Sequence, residues 1–202
     1  MLAANVVGAA LVTLNFAPSF PLWKLASWSA LVAAVGVTVA FRRLAVRHRT
    51  ERTASLKDVR ETALDGISLG AVWSIAPLFF GPSSTADQAA ALWIILSILM
   101  AASAVAMAAL PLATIAFLAV LGGSAAVSLA LTTAPALGAA SLLFTALLII
   151  ACFSRGKALV VIRANEIALA ERDATVSLLL REFEDKGSDW LWETDAQRRV
   201  VR

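Results

Sequence analysis

Apolar residues come in long blocks along this chain, and the breaks between blocks are short and polar. The first run is Leu2 to Ala17, ended by the turn Pro18-Ser-Phe-Pro21, where proline cannot continue a helix. Leu22 to Phe41 follows, opened by Trp23 and Trp28, and then a polar stretch from Arg42 to Glu61. Leu64 to Phe80 is a third apolar block, closed by Gly81 to Gln88. From Gln88 to Ser154 there is no Asp, Glu, Lys, Arg or His. A membrane-crossing helix takes about 20 apolar residues, so this uncharged region predicts three spans, Ala89–Leu110, Leu112–Leu131 and Pro135–Phe153. The turns fall at Pro111 and at the stretch from Thr132 to Gly138. The pattern as a whole predicts an all-α integral membrane protein of about six spans.

The block pattern ends after the sixth span. From Ser154 to Asp185 there is no proline and only one glycine, Gly156, so the helix is expected to continue to about Asp185, with Gly187 as its stop. One heptad register places Leu159, Ile162, Glu166, Leu169, Asp173, Val176, Leu180 and Phe183 at alternating a and d positions. Such a seam suits a parallel homodimer, with Glu166 and Asp173 lowering its stability and defining its register. A helix of about 28 residues reaches about 42 Å at 1.5 Å per residue. Apolar residues on its other faces (Val160, Val161, Ile167, Ala168) also allow a helix lying on the bilayer.

Composition agrees with the pattern. Sixty per cent of the residues are apolar and 15% charged, against about half and a quarter in soluble domains. Charge then sets an orientation. Arg42, Arg43, Arg47, Arg49, Arg52, Lys57 and Arg60 follow the second span, all but one of the remaining basic residues follow the sixth, and Lys24 stands alone. Basic residues collect on the cytoplasmic side, so both segments, and both termini, are expected there. The first run is short, which allows the native protein to begin upstream of Met1. A cleaved signal peptide is the alternative, against which stands the missing positive n-region.

Little in the chain carries chemistry. The single cysteine, Cys152, excludes an internal disulfide, and no pair of histidines or CxxC motif suggests a metal. Asp65, near the start of the third span, reads as a helix-start acid favoured by the positive helix end rather than a proton relay. His48, between Arg47 and Arg49, reads as part of a solvated basic patch near anionic lipid. Lys24 lies at the edge of its span, where a retinal Schiff base would need a mid-membrane lysine. Gly66 and Gly70 form a small-xxx-small step suited to helix packing. Ser68, Ser74, Ser97, Ser103, Ser124 and Ser128 could line a pocket or bond backbone carbonyls, and Trp73 and Trp93 could wall that pocket or sit in an interfacial belt. No nucleophile–base pair, phosphate loop or carboxylate dyad is present, so no catalytic activity, cofactor or nucleic-acid partner is expected of residues 1–202.

The last residues have a different character. The stretch LLLREFEDKGSDWLWETDAQRRVVR resembles the entry to a PAS domain: an amphipathic helix, a capped turn, an aromatic–acidic strand and a polar turn. Asp189, Trp190, Trp192, Glu193, Thr194 and Asp195 carry the likeness, followed by Ala196. Trp190, Trp192 and Thr194 would share one strand face. A PAS fold needs on the order of 100 residues, so the chain is expected to be a fragment cut inside that domain. The resemblance implies three parts: a membrane sensor module at 1–155, a signalling helix at 156–186 and an incomplete PAS domain at 187–202. With the multi-span region it is most similar to bacterial membrane proteins in which PAS precedes GGDEF and EAL domains, which make and degrade cyclic di-GMP. The input region of a sensor histidine kinase, a small transporter and a passive membrane anchor are the alternatives.

Overall fold

The computed structural model describes residues 2–47, 56–106, 111–132, 135–186, 193–194 and 200–201. Six α-helices account for nearly all of them: α1 (Leu2–Phe16), α2 (Leu22–Arg47), α3 (Leu56–Ile75), α4 (Ala86–Ala106), α5 (Pro111–Thr132) and α6 (Pro135–Lys186). Among the described residues five helices are long and apolar enough to cross a membrane, and α1 is a shorter apolar helix. The chain is a membrane-embedded, multi-pass α-helical protein. It divides into two compact units, Met1–Lys157 and Ala158–Arg202. The second unit contains the two short strands β1 (Glu193–Thr194) and β2 (Val200–Val201), paired antiparallel with Glu193 opposite Val201 and Thr194 opposite Val200.

Helix boundaries follow local chemistry. Pro111 and Pro135 open α5 and α6, where a proline costs no hydrogen bond because the first N–H groups have no partner within the helix. A capping box starts α4: the Thr85 hydroxyl accepts from the Gln88 N–H at 3.3 Å, and the Gln88 Oε1 accepts from the Thr85 N–H at 3.2 Å. The α1–α2 turn closes with the Ser19 and Phe20 amides donating to the Phe16 carbonyl, both at 3.0 Å.

The start of α3 corrects the boundary expected at Leu64. It begins at Leu56, and the apolar stretch of spanning length runs Val59–Ser83. Lys57, Arg60 and Glu61 are polar, but they are also good helix formers and no glycine or proline separates them from Leu64. Polarity marked the water boundary and not the helix end.

The core of the first unit runs through α1 to α5. Val12, Phe16, Leu25, Trp73, Phe117, Leu118 and Leu121 are fully buried. Of the helix pairs, α3 and α5 pack over the longest face. A Cβ at Gly66 would collide with the Ala113 backbone carbonyl, and one at Gly70 would lie 3.0 Å from Val120 Cβ and 3.2 Å from the Phe117 carbonyl oxygen. In lipid, helices associate by close packing and not by escape from water, so these two positions set how near α3 and α5 can come.

Candidate functional site

The most specialised region of the first unit lies where α3 breaks. Its last turns are not α-helical: Ala76–Phe80 form a π turn and Gly81–Ser83 a 3₁₀ turn. Pro77 has no N–H to return to the Trp73 carbonyl, which explains a departure from α geometry here. A π turn moves each donor on by one residue and leaves a carbonyl at its entry without its usual partner. Side chains from two other helices donate to carbonyls beside and within this break. Trp28 Nε1 on α2 donates to the Val72 carbonyl at 3.0 Å, and Ser128 Oγ on α5 donates to the Pro77 carbonyl at 2.6 Å. Irregular backbone at membrane depth requires protein cover of this kind.

Aromatic rings surround the break. Trp28 meets Trp73 edge-on at 5.3 Å between centroids and Phe80 at 5.8 Å, and Phe80 meets Phe16 at 5.5 Å and Phe20 at 5.1 Å. The Trp73 indole donates to Asn5 Oδ1 on α1 at 3.0 Å, and a Cβ at Gly8 would stand 2.9 Å from that ring. Trp73 is therefore buried in the bundle, 0% exposed, and is not a belt residue. A lock between the α1–α2 turn and the start of α4 sits beside this cluster. Asn15 Nδ2 donates to the Gln88 carbonyl at 3.0 Å, and Gln88 Nε2 donates to the Asn15 carbonyl at 3.1 Å and to Ser19 Oγ at 2.8 Å. Nothing in the spacing of Asn5, Asn15 and Gln88 distinguishes them from surface amides. A polar residue inside an apolar run was the one available signal.

Of the six serines, among the described residues Ser68, Ser97, Ser103 and Ser124 bond carbonyls of their own helices, whereas Ser74 reaches the Val120 carbonyl on α5 and Ser128 the Pro77 carbonyl in the π turn. Ser128 also borders a cavity of about 20 Å³ between α4, α5 and the π turn, lined in part by Trp93 and Thr132. That is room for about one water molecule. Trp93 packs against Phe144 of α6 at 5.9 Å.

Midway along α3, Asp65 lies well inside the helix and not in its first turn, which overturns the helix-start reading. Its carboxylate is 10% exposed and pairs with Arg42 of α2 at 3.4 Å. Gly156 on α6 packs against Pro111 at the head of α5, its would-be Cβ 3.1 Å from the proline ring.

In the second unit every residue from 158 to 182 is exposed. Leu159, Ile162, Leu169, Val176 and Leu180 range from 40% to 63%. Glu166 pairs with Arg163 on its own helix at 2.7 Å, and the Asp173 carbonyl accepts from Ser177 Oγ at 2.8 Å. Phe183 lies on α6, but its side chain is outside the described residues. So are His48, Gly187, Asp189, Trp190, Trp192 and Asp195; of the six residues that carry the PAS likeness only Glu193 and Thr194 fall within them, as β1. Among the described residues no group of His, Cys, Asp and Glu could hold a metal ion. No protein-family model matches this chain, and neither a curated protein nor a solved structure matches it.

Proposed function

We propose that the chain is the sensory input region of a bacterial inner-membrane signalling protein. In this reading residues 1–155 cross the membrane six times, α1 included, with both ends cytoplasmic. Residues 156–186 form a parallel dimeric stalk, and 187–202 begin a PAS domain that leads to an output making or degrading cyclic di-GMP. The observation that carries the reading is α6. It is one 52-residue helix whose first part is an apolar stretch of membrane-spanning length and whose later part is charged and exposed on every side. A lone helix exposing Val160, Ile167, Leu178 and Leu180 at 59–70% gains little from propensity alone, since most helical stability in proteins comes from burying a face. A second copy anchored in the same bilayer starts its own helix at the same height, which favours a parallel, in-register seam.

Signalling then requires two packings of that seam close in free energy, which a stimulus binds unequally. Glu166 and Asp173 keep the seam weak enough to move. The experiment uses the natural full-length protein in membranes, assayed for conversion of GTP to cyclic di-GMP and for its breakdown. Activity that changes when residues 1–155 are deleted supports the reading. A histidine-kinase activity downstream would replace the output, and transport without any such output would replace the reading itself.

A further inference from the structure

An open groove of about 470 Å³ lies between α1 and α2, and the chemistry of its walls specifies an occupant. Ala10, Leu14, Ala26 and Ala33 form exposed sides, and Asn5, Ala9 and Val32 form a buried floor. Ligand sites typically enclose 300–1,000 Å³, so the size is that of a ligand site and well beyond a packing defect. No charged residue lines it, and its surface is almost wholly apolar.

The polar atoms in the wall are not equivalent. Thr13 Oγ1 donates to the Ala9 carbonyl at 2.8 Å and pairs with Ser29 Oγ at 2.9 Å, so these hydroxyls are engaged inside the protein. Asn5 differs. It is 3% exposed, its Oδ1 is taken by Trp73, and its amide nitrogen donates no hydrogen bond among the described residues. Its amide N–H pair is therefore left for an acceptor supplied from the groove that Asn5 lines. The groove therefore presents a long uncharged channel with a hydrogen-bond donor in its floor, complementary to a hydrocarbon chain that carries one uncharged acceptor.

We propose that the α1–α2 groove binds a single acyl chain of a membrane lipid, whose ester carbonyl accepts a hydrogen bond from Asn5 Nδ2. A second helix is a poorer occupant because its backbone carbonyls are already bonded within the helix. The floor residue also connects the site to the rest of the bundle. Asn5 holds Trp73 on α3, and Trp73 meets edge-on Trp28, the residue that holds the Val72 carbonyl just before the π turn. In the sensory reading this makes acyl occupancy an input to α3. The binding site itself goes beyond that reading, and its test reads occupancy alone, so each can fail without the other.

The test places the whole chain in nanodiscs with a trace of phosphatidylcholine bearing a diazirine on one ester-linked chain, and maps photoproducts by mass spectrometry. Labelling should concentrate on Ala10, Leu14, Ala26 and Ala33 rather than on Ile98 and Val105, which are also exposed, on α4. Ala33→Phe should remove most of that labelling while leaving helix content unchanged, and Ile98→Phe should leave it intact. A probe with an ether-linked chain lacks the carbonyl and should label the groove about fivefold less, the worth of one ordinary hydrogen bond. Asn5→Ala should erase that ester-over-ether preference. Labelling spread evenly over all lipid-facing helices overturns the proposal, as does equal labelling by ester and ether probes. Displacement of the probe by a long-chain quinone would assign the groove to that occupant instead.

Discussion

Trp73 shows how a single residue can tie a membrane bundle together. Its ring is fully buried, its indole N–H is spent on Asn5, and it touches α1 and α2 while belonging to α3. Trp73→Phe keeps an aromatic ring but removes the donor and part of a fully buried indole. Interhelical hydrogen bonds in membranes average about 0.6 kcal/mol and reach about 1.7, so unfolding titration in detergent should show a loss of at least that size, with the cavity adding to it. A loss near zero would mean that Asn5 finds another donor. Arg42 and Asp65 make a sharper comparison. Arg42 is largely exposed and Asp65 is not, so screening limits the pair itself to about 1 kcal/mol. Removing Arg42 still leaves a buried carboxylate uncompensated, whereas Asp65→Asn removes the charge. Arg42→Ala should therefore destabilise more than Asp65→Asn in the same titration, and the reverse order would show that the pair contributes nothing through charge.

At the scale of elements, the decisive contacts are the ones that fix helix spacing. Gly66→Val puts a branched side chain against the Ala113 carbonyl and should separate α3 from α5, at a cost in the 1–3 kcal/mol range of overpacking, about the largest of any single change suggested here. A thermal-stability assay in detergent reads it directly, and Gly123, where nothing lies within reach of an added Cβ, gives the control. The stalk behaves oppositely. If Glu166 and Asp173 weaken a dimer seam, the double change Glu166→Leu, Asp173→Leu should strengthen dimerisation and lock the output in one state; an unaltered output on a still-helical stalk would sink that mechanism. The apolar blocks made the helices of the bundle legible in advance, because hydrocarbon demands length and composition before anything else. The start of α3 at Leu56 and the π turn at Ala76–Phe80 were not legible: Lys57, Arg60 and Glu61 are polar and helical at once, and a proline alone does not say whether a helix kinks, ends or widens.

At the scale of the whole molecule, orientation is the claim most open to a direct check. Single cysteines in a Cys152→Ser background, at Ser84 between α3 and α4 and at Thr175 on α6, should react with a membrane-impermeant maleimide from opposite sides of sealed vesicles. Reaction from the same side would overturn the arrangement that the basic residues imply. That even a short sequence with few chemical groups states this much follows from the solvent. Lipid forbids unpaired backbone and prices charge steeply, so hydropathy and the placement of Lys and Arg determined the membrane-embedded helical class and an expected sidedness by themselves. Which polar atoms meet was decided only in three dimensions. Asn5 and Trp73 are 68 residues apart, Asn15 and Gln88 are 73 apart, and Pro77 and Ser128 are 51 apart. A lone amide or hydroxyl in an apolar run shows that a partner is needed, and helix packing alone selects it.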